Sequence, residues 1–422
     1  MQPTTLSRPE TAPSQGLKVA PMRLQPLRWL AVTVVAAWYR LPCRIRAFGR
    51  LPSKRGPTLI VINHQHEIES PVVVADLTVR SLSWRYPIFT VSSRRLWEPG
   101  FFAERLPWLA LALRGVNLGP LVSSIGMQPI ENELHTRPFA SLASDLRQRH
   151  GDLAVEDVFR ERALGRLGKR IARLSDILRP RNFNVARARA SLTDLREPYR
   201  AQTLEATRRQ LDADIAHFAT LQREGATIFL APEGFYTEDG RMQRLRGILP
   251  VLAPLAKLWI VGISYDPFAG RRLALLYRVI PAVDGPPIEV QIKAARPVTV
   301  SAVLATWLRG APTTFTEHDV QSVVVRAAGA LPPALFVEPG LRADPARAAA
   351  AALRGLERLR IISRTAGGFR LTGRRTHPSF SHVTDIIAHQ ANFHEETLDG
   401  ASRLGAYVPE AEPAWTSGSR SS

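Results

Sequence analysis

Two short β-branched runs that stop on polar residues constrain this fold more than any other feature. "TLIVIN" at 58–63 runs straight into His64, Gln65, His66, Glu67 and Glu69. "ATIFLAPEG" at 226–234 ends on Pro232, Glu233 and Gly234. A short apolar run bounded by turn signals reads as a buried strand. Three more such runs, "PIFTVSS", "LWIVGISYDP" and "LALLYRVIPAV", recur along the chain, with a helical stretch at 71–80. Strands alternating with helices predict an α/β fold, a sheet flanked by helices.

The remainder divides by character. Residues 1–16 are rich in Pro, Ser and Thr, and these and 406–422 are expected to be disordered. Residues 17–50 form a basic region around an apolar helix, and 51–310 hold the strand pattern. A segment at 140–223 interrupts it. There Leu164, Leu167, Ile171, Leu174 and Leu178 recur at helical spacing, and Leu204, Leu211, Ile215 and Phe218 continue the seam. This predicts a long helical insertion, an antiparallel helix pair broken near "LRPRNFN". Residues 101–114 read as a further apolar helix. The last unit, 311–405, combines the helical "DPARAAAAALRGLERLRIIS" with a hairpin at "RTAGGFRLTG", a winged-helix-like pattern.

Charge narrows the partners. The net charge of +19 favours anionic ones, whether nucleic acid, anionic lipid or a phosphorylated substrate. The single cysteine, Cys43, excludes an intrachain disulfide and any Cys-rich zinc site. From Thr11 to His66 there is no Asp or Glu, while Lys18, Arg23, Arg28, Arg40, Arg44, Arg46, Arg50, Lys54 and Arg55 crowd the stretch. Within it, "WLAVTVVAAWY" is apolar but well short of the ~20 residues that span a bilayer. It also lacks the position and cleavage site of a signal peptide. Tryptophans near both ends and basic flanks suit the headgroup region of an anionic membrane. The alternative is a buried N-terminal helix on a basic protein.

Taken together, "NHQHEIESP" and "FLAPEGFYTEDGRM" resemble the motifs of the glycerolipid acyltransferases, enzymes that acylate glycerol phosphate, lysophosphatidate and related acceptors. That family's first motif is Asn-His, four residues, then Asp; here His64 is followed by four residues and Glu69. Its third motif, Phe-Pro-Glu-Gly-Thr-Arg-Ser, aligns with Ala231 to Thr237, with Tyr236 where the family has arginine. The likeness covers residues 27–300 without the 140–223 segment. It implies an acyltransferase-like sheet and an O-acyltransferase of phospholipid biosynthesis on the cytoplasmic face of a membrane. The acyl donor would be acyl-CoA or acyl carrier protein, with no other cofactor and no metal. By motif match, Glu233 and Gly234 bind the acceptor, with Arg94 or Arg95 as the early cation of the second motif. Arg241, Arg244 and Arg246 are candidates to replace the missing arginine.

The residues make chemical sense of this. A hydroxyl attacking a thioester must lose a proton, and neutral imidazole suits that task. A carboxylate on the other ring nitrogen fixes the tautomer and stabilises the imidazolium. Residues five apart on one helix point away from each other. His64 therefore belongs at a strand end and Glu69 at a helix start, with Pro71 early in that helix. His66 is the rival base. The His and Glu spacing matches no usual zinc pattern. Two other readings compete: a nucleic-acid-binding protein using the C-terminal unit, and an inactive lipid-binding relative. On the acyltransferase reading no nucleic acid is expected.

Overall fold

The computed structural model describes residues 25–41, 43–50, 56–66, 68–80, 88–97, 119–124, 126–131 and 136–407. The expected 1–16 disorder, residues 408–422 of the expected 406–422 disorder and the 101–114 helix lie outside them, while Ala406 and Tyr407 of that tail end a helix.

The predicted runs form strands of one sheet. Strands β1 (Cys43–Gly49), β2 (Thr58–Ile62), β3 (Ile88–Ser93), β4 (Met127–Ile130), β7 (Thr227–Leu230), β8 (Lys257–Asp266) and β9 (Leu273–Pro281) assemble in the order β1-β9-β8-β2-β7-β3-β4. Every neighbouring pair is parallel except β8–β9, a hairpin. The fold is thus mixed α/β, with a seven-stranded, mostly parallel sheet flanked by helices. β2 lies at the centre and is buried along its whole length, which is why its sequence is unbroken apolar rather than alternating.

Helices cover both faces. Helix α1 (Gln25–Arg40) packs through Val32 and Ala36 on Ala75 of α2 (Glu69–Arg80). Helix α3 (Phe139–His150) opens the segment that interrupts the sheet, and α4 (Tyr199–Arg223) closes it. The segment differs from the expected helix pair. Between α3 and α4 lie short helical turns at Val155–Val158, Glu161–Leu167, Leu174–Ile177 and Phe183–Arg187, plus a two-stranded ribbon of β5 (Thr136–Pro138) and β6 (Arg189–Ser191). Gly168, at φ +81°, ends the turn at 161–167, and the chain doubles back. Leu167, Ile171 and Leu174 still meet in one core with Phe139, Leu146 and Phe159, because the doubling keeps them on one side. Spacing of three and four survived a break that it does not reveal. Only α4 is long. It touches that small core through Tyr199 and Leu204 and the sheet core through Phe218 and Leu221.

The C-terminal residues fuse with the sheet. Helices α5 (Ile288–Ala295), α6 (Val300–Leu308), α7 (Glu317–Gly329), α8 (Pro345–Arg358) and α9 (Ile386–Tyr407) follow, α5 packing on β8 and α9, and α8 lies against a small antiparallel sheet of β10 (Thr314–Phe315), β11 (Ile362–Thr365) and β12 (Gly368–Leu371). The strand order β10-β12-β11 with helices α6, α7 and α8 reproduces the winged-helix sequence of elements. Phe315, Val324, Leu353 and Phe369 share one core with Ile62, Val261 and Leu275 of the main sheet. Gly355 of α8 is the tightest contact between the two parts. A Cβ there would lie 1.7 Å from the backbone oxygen of Phe268, just after β8. We expect Gly355→Ala to lower stability by at least about 2 kcal/mol, because neither backbone can yield. Gly367→Ala, with open space around it, should stay within about 0.5 kcal/mol. Equal urea midpoints for the two variants would contradict this packing.

Candidate active site

Side chains take over where the β2 ladder stops. The Asn63 amide donates to the Ile263 carbonyl (3.0 Å) and accepts from the Ile263 N–H (2.6 Å) of β8. On the other side, Val61 pairs with Leu230 of β7, and that register carries His64 alongside Glu233. The His64 N–H donates to Glu233 Oε1 at 2.7 Å. The two motifs thus meet at the carboxyl ends of adjacent parallel strands, where open α/β sheets place their ligand sites.

A short turn then separates strand from helix. Glu69 is the first residue of α2 and is fully buried. Its carboxylate accepts the Gln65 N–H at 2.9 Å, and Oε2 lies 2.8 Å from His64 Nδ1. A helix N-terminus also favours negative charge there. The carboxylate accepts from Nδ1–H, so the lone pair of the imidazole resides on Nε2.

His66 is occupied differently. Its Nδ1 accepts the Ile68 N–H (3.2 Å), and its Nε2–H donates to the Ser379 carbonyl (2.6 Å). Both ring nitrogens are used, so His66 ties the turn to the C-terminal unit and has no lone pair to offer a substrate.

Glu233 is 3% exposed and both its oxygens face backbone donors, His64 N–H and Gln243 N–H (2.8 Å). It is a cross-link between the β2 end and the 241–246 loop. Burial pushes its carboxyl up to about 7, against the pull of Arg296 and these two hydrogen bonds. Gly234 has φ +76°, and a Cβ there would lie 2.3 Å from Arg246 Nε. The bare backbone lets Arg246 donate to the Glu233 carbonyl (3.1 Å) and stack on the Phe235 ring at 4.8 Å.

The other predicted cations point elsewhere. Arg94 donates to both oxygens of Asp214 on α4 (2.7 and 2.8 Å) and lies 3.8 Å from Glu131. The Arg95 side chain lies outside the described residues. Arg241 is half-exposed and reaches Asn392 at 3.4 Å and Asp239 at 4.0 Å, while Arg244 is exposed. The structure therefore gathers His64, Glu69, Glu233, Gly234 and Arg246, and commits Arg94 to a structural ion pair.

Several residues of the site from the C-terminal segment escaped the sequence reading, and Tyr236, read there only as a departure from the motif, stands among them. The Tyr236 ring stands edge-on to His64 at 5.3 Å and packs against His382 at 4.4 Å. Phe380 lies 5.4 Å from His66 and 5.1 Å from Tyr265. Arg296 is 1% exposed, stacks on Phe393 at 4.3 Å and donates to Glu396 at 3.2 Å. Glu396 also accepts the Met242 N–H (2.8 Å), and Asn392 donates to the Asp239 carbonyl (3.0 Å). Helix α9 thereby clamps the loop that follows Glu233. One signal was available: four of the chain's ten histidines fall within 377–394. Burial holds His377 and His394 down to about 4 and His389 to about 3, so these three stay neutral.

Among the described residues, no three His, Cys, Asp or Glu side chains converge as metal ligands. Compared with known protein families the chain matches none, and no curated protein matches it. What the arrangement offers is an imidazole oriented by a buried carboxylate, able to take a proton at Nε2.

The Glu233 carboxyl favours its protonated form on folding, with an ordinary value of 4.5 and a folded one of about 7. That contribution is fully present below 4.5 and is lost as pH rises through about 7. The wild type should therefore lose stability relative to Glu233→Gln across this window, by on the order of 3 kcal/mol. Paired melting curves at acid and mildly alkaline pH test the sign; a difference that grows the other way refutes it.

Proposed function

We propose that the protein is a membrane-associated O-acyltransferase that moves a fatty acyl group from a thioester to a lipid hydroxyl. The observation that carries this reading is the 2.8 Å contact between His64 Nδ1 and the fully buried Glu69, at the end of the central strand. The resemblance of the two motifs to those of the glycerolipid acyltransferases supports it.

The chemistry follows from the geometry. The acceptor hydroxyl approaches Nε2 of His64, which takes its proton as the oxygen attacks the thioester carbonyl carbon. Glu69 stabilises the imidazolium that forms. Collapse of the tetrahedral intermediate breaks the carbon–sulfur bond, and the departing thiolate recovers the proton. No acyl-enzyme is needed. The donor is acyl-CoA or acyl carrier protein.

Helix α1 supports the membrane part. Leu30, Val34, Trp38 and Leu41 form an exposed apolar stripe, with Trp38 68% exposed, on the side away from α2. Arg40 and Arg44 follow it in sequence, Arg40 pairing with Asp76 of α2. No described helix is long and apolar enough to cross a membrane, so this face suits a helix lying in the interface.

A second reading draws on the C-terminal winged-helix order. Arg347, Arg354 and Arg358 line one exposed side of α8, and Arg364 and Arg370 lie on the adjoining hairpin. Such a helix and wing suit duplex nucleic acid. Against it, this unit shares the sheet core and holds His66, two residues from His64, through Ser379.

His64→Ala should lower acyl transfer by at least about a thousandfold with the melting temperature unchanged, and Glu69→Gln by about a hundredfold or more. A fully active His64→Ala would end the assignment. Separately, the protein should sediment with anionic vesicles, and a Leu30→Glu, Trp38→Glu double variant should stay in solution. Binding that duplex DNA abolishes, and that the double variant retains, would favour the second reading.

A further inference from the structure

We propose that the acceptor is an uncharged lipid alcohol, with no phosphate beside the reacting hydroxyl, and that Tyr236 and His382 set this preference. The inference rests on the acyltransferase reading above and names the substrate class of that site.

The hydroxyl must come to Nε2 of His64. Rings gather beside that imidazole. Tyr236 stands 5.3 Å from the His64 ring, His382 packs on Tyr236 at 4.4 Å, and Phe380 lies 6.0 Å from His382. His66 closes the group, 5.6 Å from His382, with both its nitrogens engaged. Such a surface takes up ester, alkyl and hydroxyl groups through dispersion and single hydrogen bonds.

A phosphate monoester has different needs. It carries close to two negative charges and is held by guanidinium forks or clustered backbone donors. Among the described residues, Arg246, Arg296, Arg94 and Arg241 are all engaged with protein. Arg246 lies on Phe235 with its Nε on the Glu233 carbonyl. Arg296 is buried between Phe393 and Glu396. Arg94 is paired with Asp214, and Arg241 leans on Asn392 and Asp239. A phosphate placed against these rings would lose its hydration without gaining a fork, which is strongly unfavourable. Burial also keeps the neighbouring His377 and His389 neutral, so they supply no positive charge. Arg244 is exposed on the same loop and makes none of these contacts, so it is the side chain that a phosphate acceptor would have to recruit.

Full-length protein on phosphatidylglycerol-containing vesicles, with labelled palmitoyl-CoA, should be given monooleoylglycerol and lysophosphatidate in competition. We expect kcat/KM to favour monooleoylglycerol at least tenfold. Tyr236→Arg should move that ratio at least tenfold toward lysophosphatidate. His382→Ala should raise KM for monooleoylglycerol several-fold with a smaller change in kcat, which a merely structural role would not separate. Preference of the wild type for lysophosphatidate, lost in Arg244→Ala, would overturn the inference and leave the acyltransferase reading standing. The wild-type ratio decides even where a variant misfolds. Absence of His64-dependent transfer to either acceptor would overturn both.

Discussion

Everything in the candidate site depends on how the central strand ends. After Ile62 the β2 ladder runs out, and two side chains replace it. Asn63 makes the pair of hydrogen bonds to Ile263 that a further strand residue would have made. Glu233 takes the His64 N–H, a buried donor that would otherwise be orphaned at a cost of about 1–3 kcal/mol. With both neighbours holding the backbone, the imidazole can leave the strand in one direction only. Glu69 then needs to do no more than complete the turn. Positioning is built into backbone satisfaction, and Glu233 serves the site without facing it.

The sequence made some of this legible and hid the rest for physical reasons. Buried parallel strands carry unbroken apolar runs, so β2, β3, β7, β8 and β9 could be read directly. The His64–Glu69 pair was legible because both members lie in one strand-to-helix turn. Arginines were harder. A guanidinium advertises its charge but not its partner, and nothing near Arg94 in the sequence announces Asp214, which arrives from α4. Arg296, Glu396 and His382 come from segments remote from both motifs, and no periodicity marks them as neighbours of Glu233. The insertion misled because spacing of three and four is also what a doubled-back chain of short turns displays when its apolar residues share a core.

The C-terminal helices and hairpin do not stand apart from the rest of the chain. Phe315 and Phe369 lie in the core of the main sheet. The connection from β12 to α9 passes over the β8 end and delivers Ser379 to His66. Helix α9 then returns along α5 and α6 and holds the 239–242 backbone through Asn392 and Glu396. The loop after Glu233 is exposed and irregular by sequence, and this external buttress supplies its rigidity.

Helix α2 is shared between two surroundings. Its first residue is the buried partner of the imidazole, and two turns on, Ala75 and Asp76 meet α1, with Asp76 accepting from Arg40 (2.6 Å) and from the Tyr277 hydroxyl (2.5 Å). The same helix therefore carries the carboxylate at one end and the seat of α1 along its flank. On the function proposed here, the depth at which α1 floats also sets the height of the dyad above the acyl chains. An alcohol resting at that height is acylated in place, and one dissolved in water is presented at the wrong level.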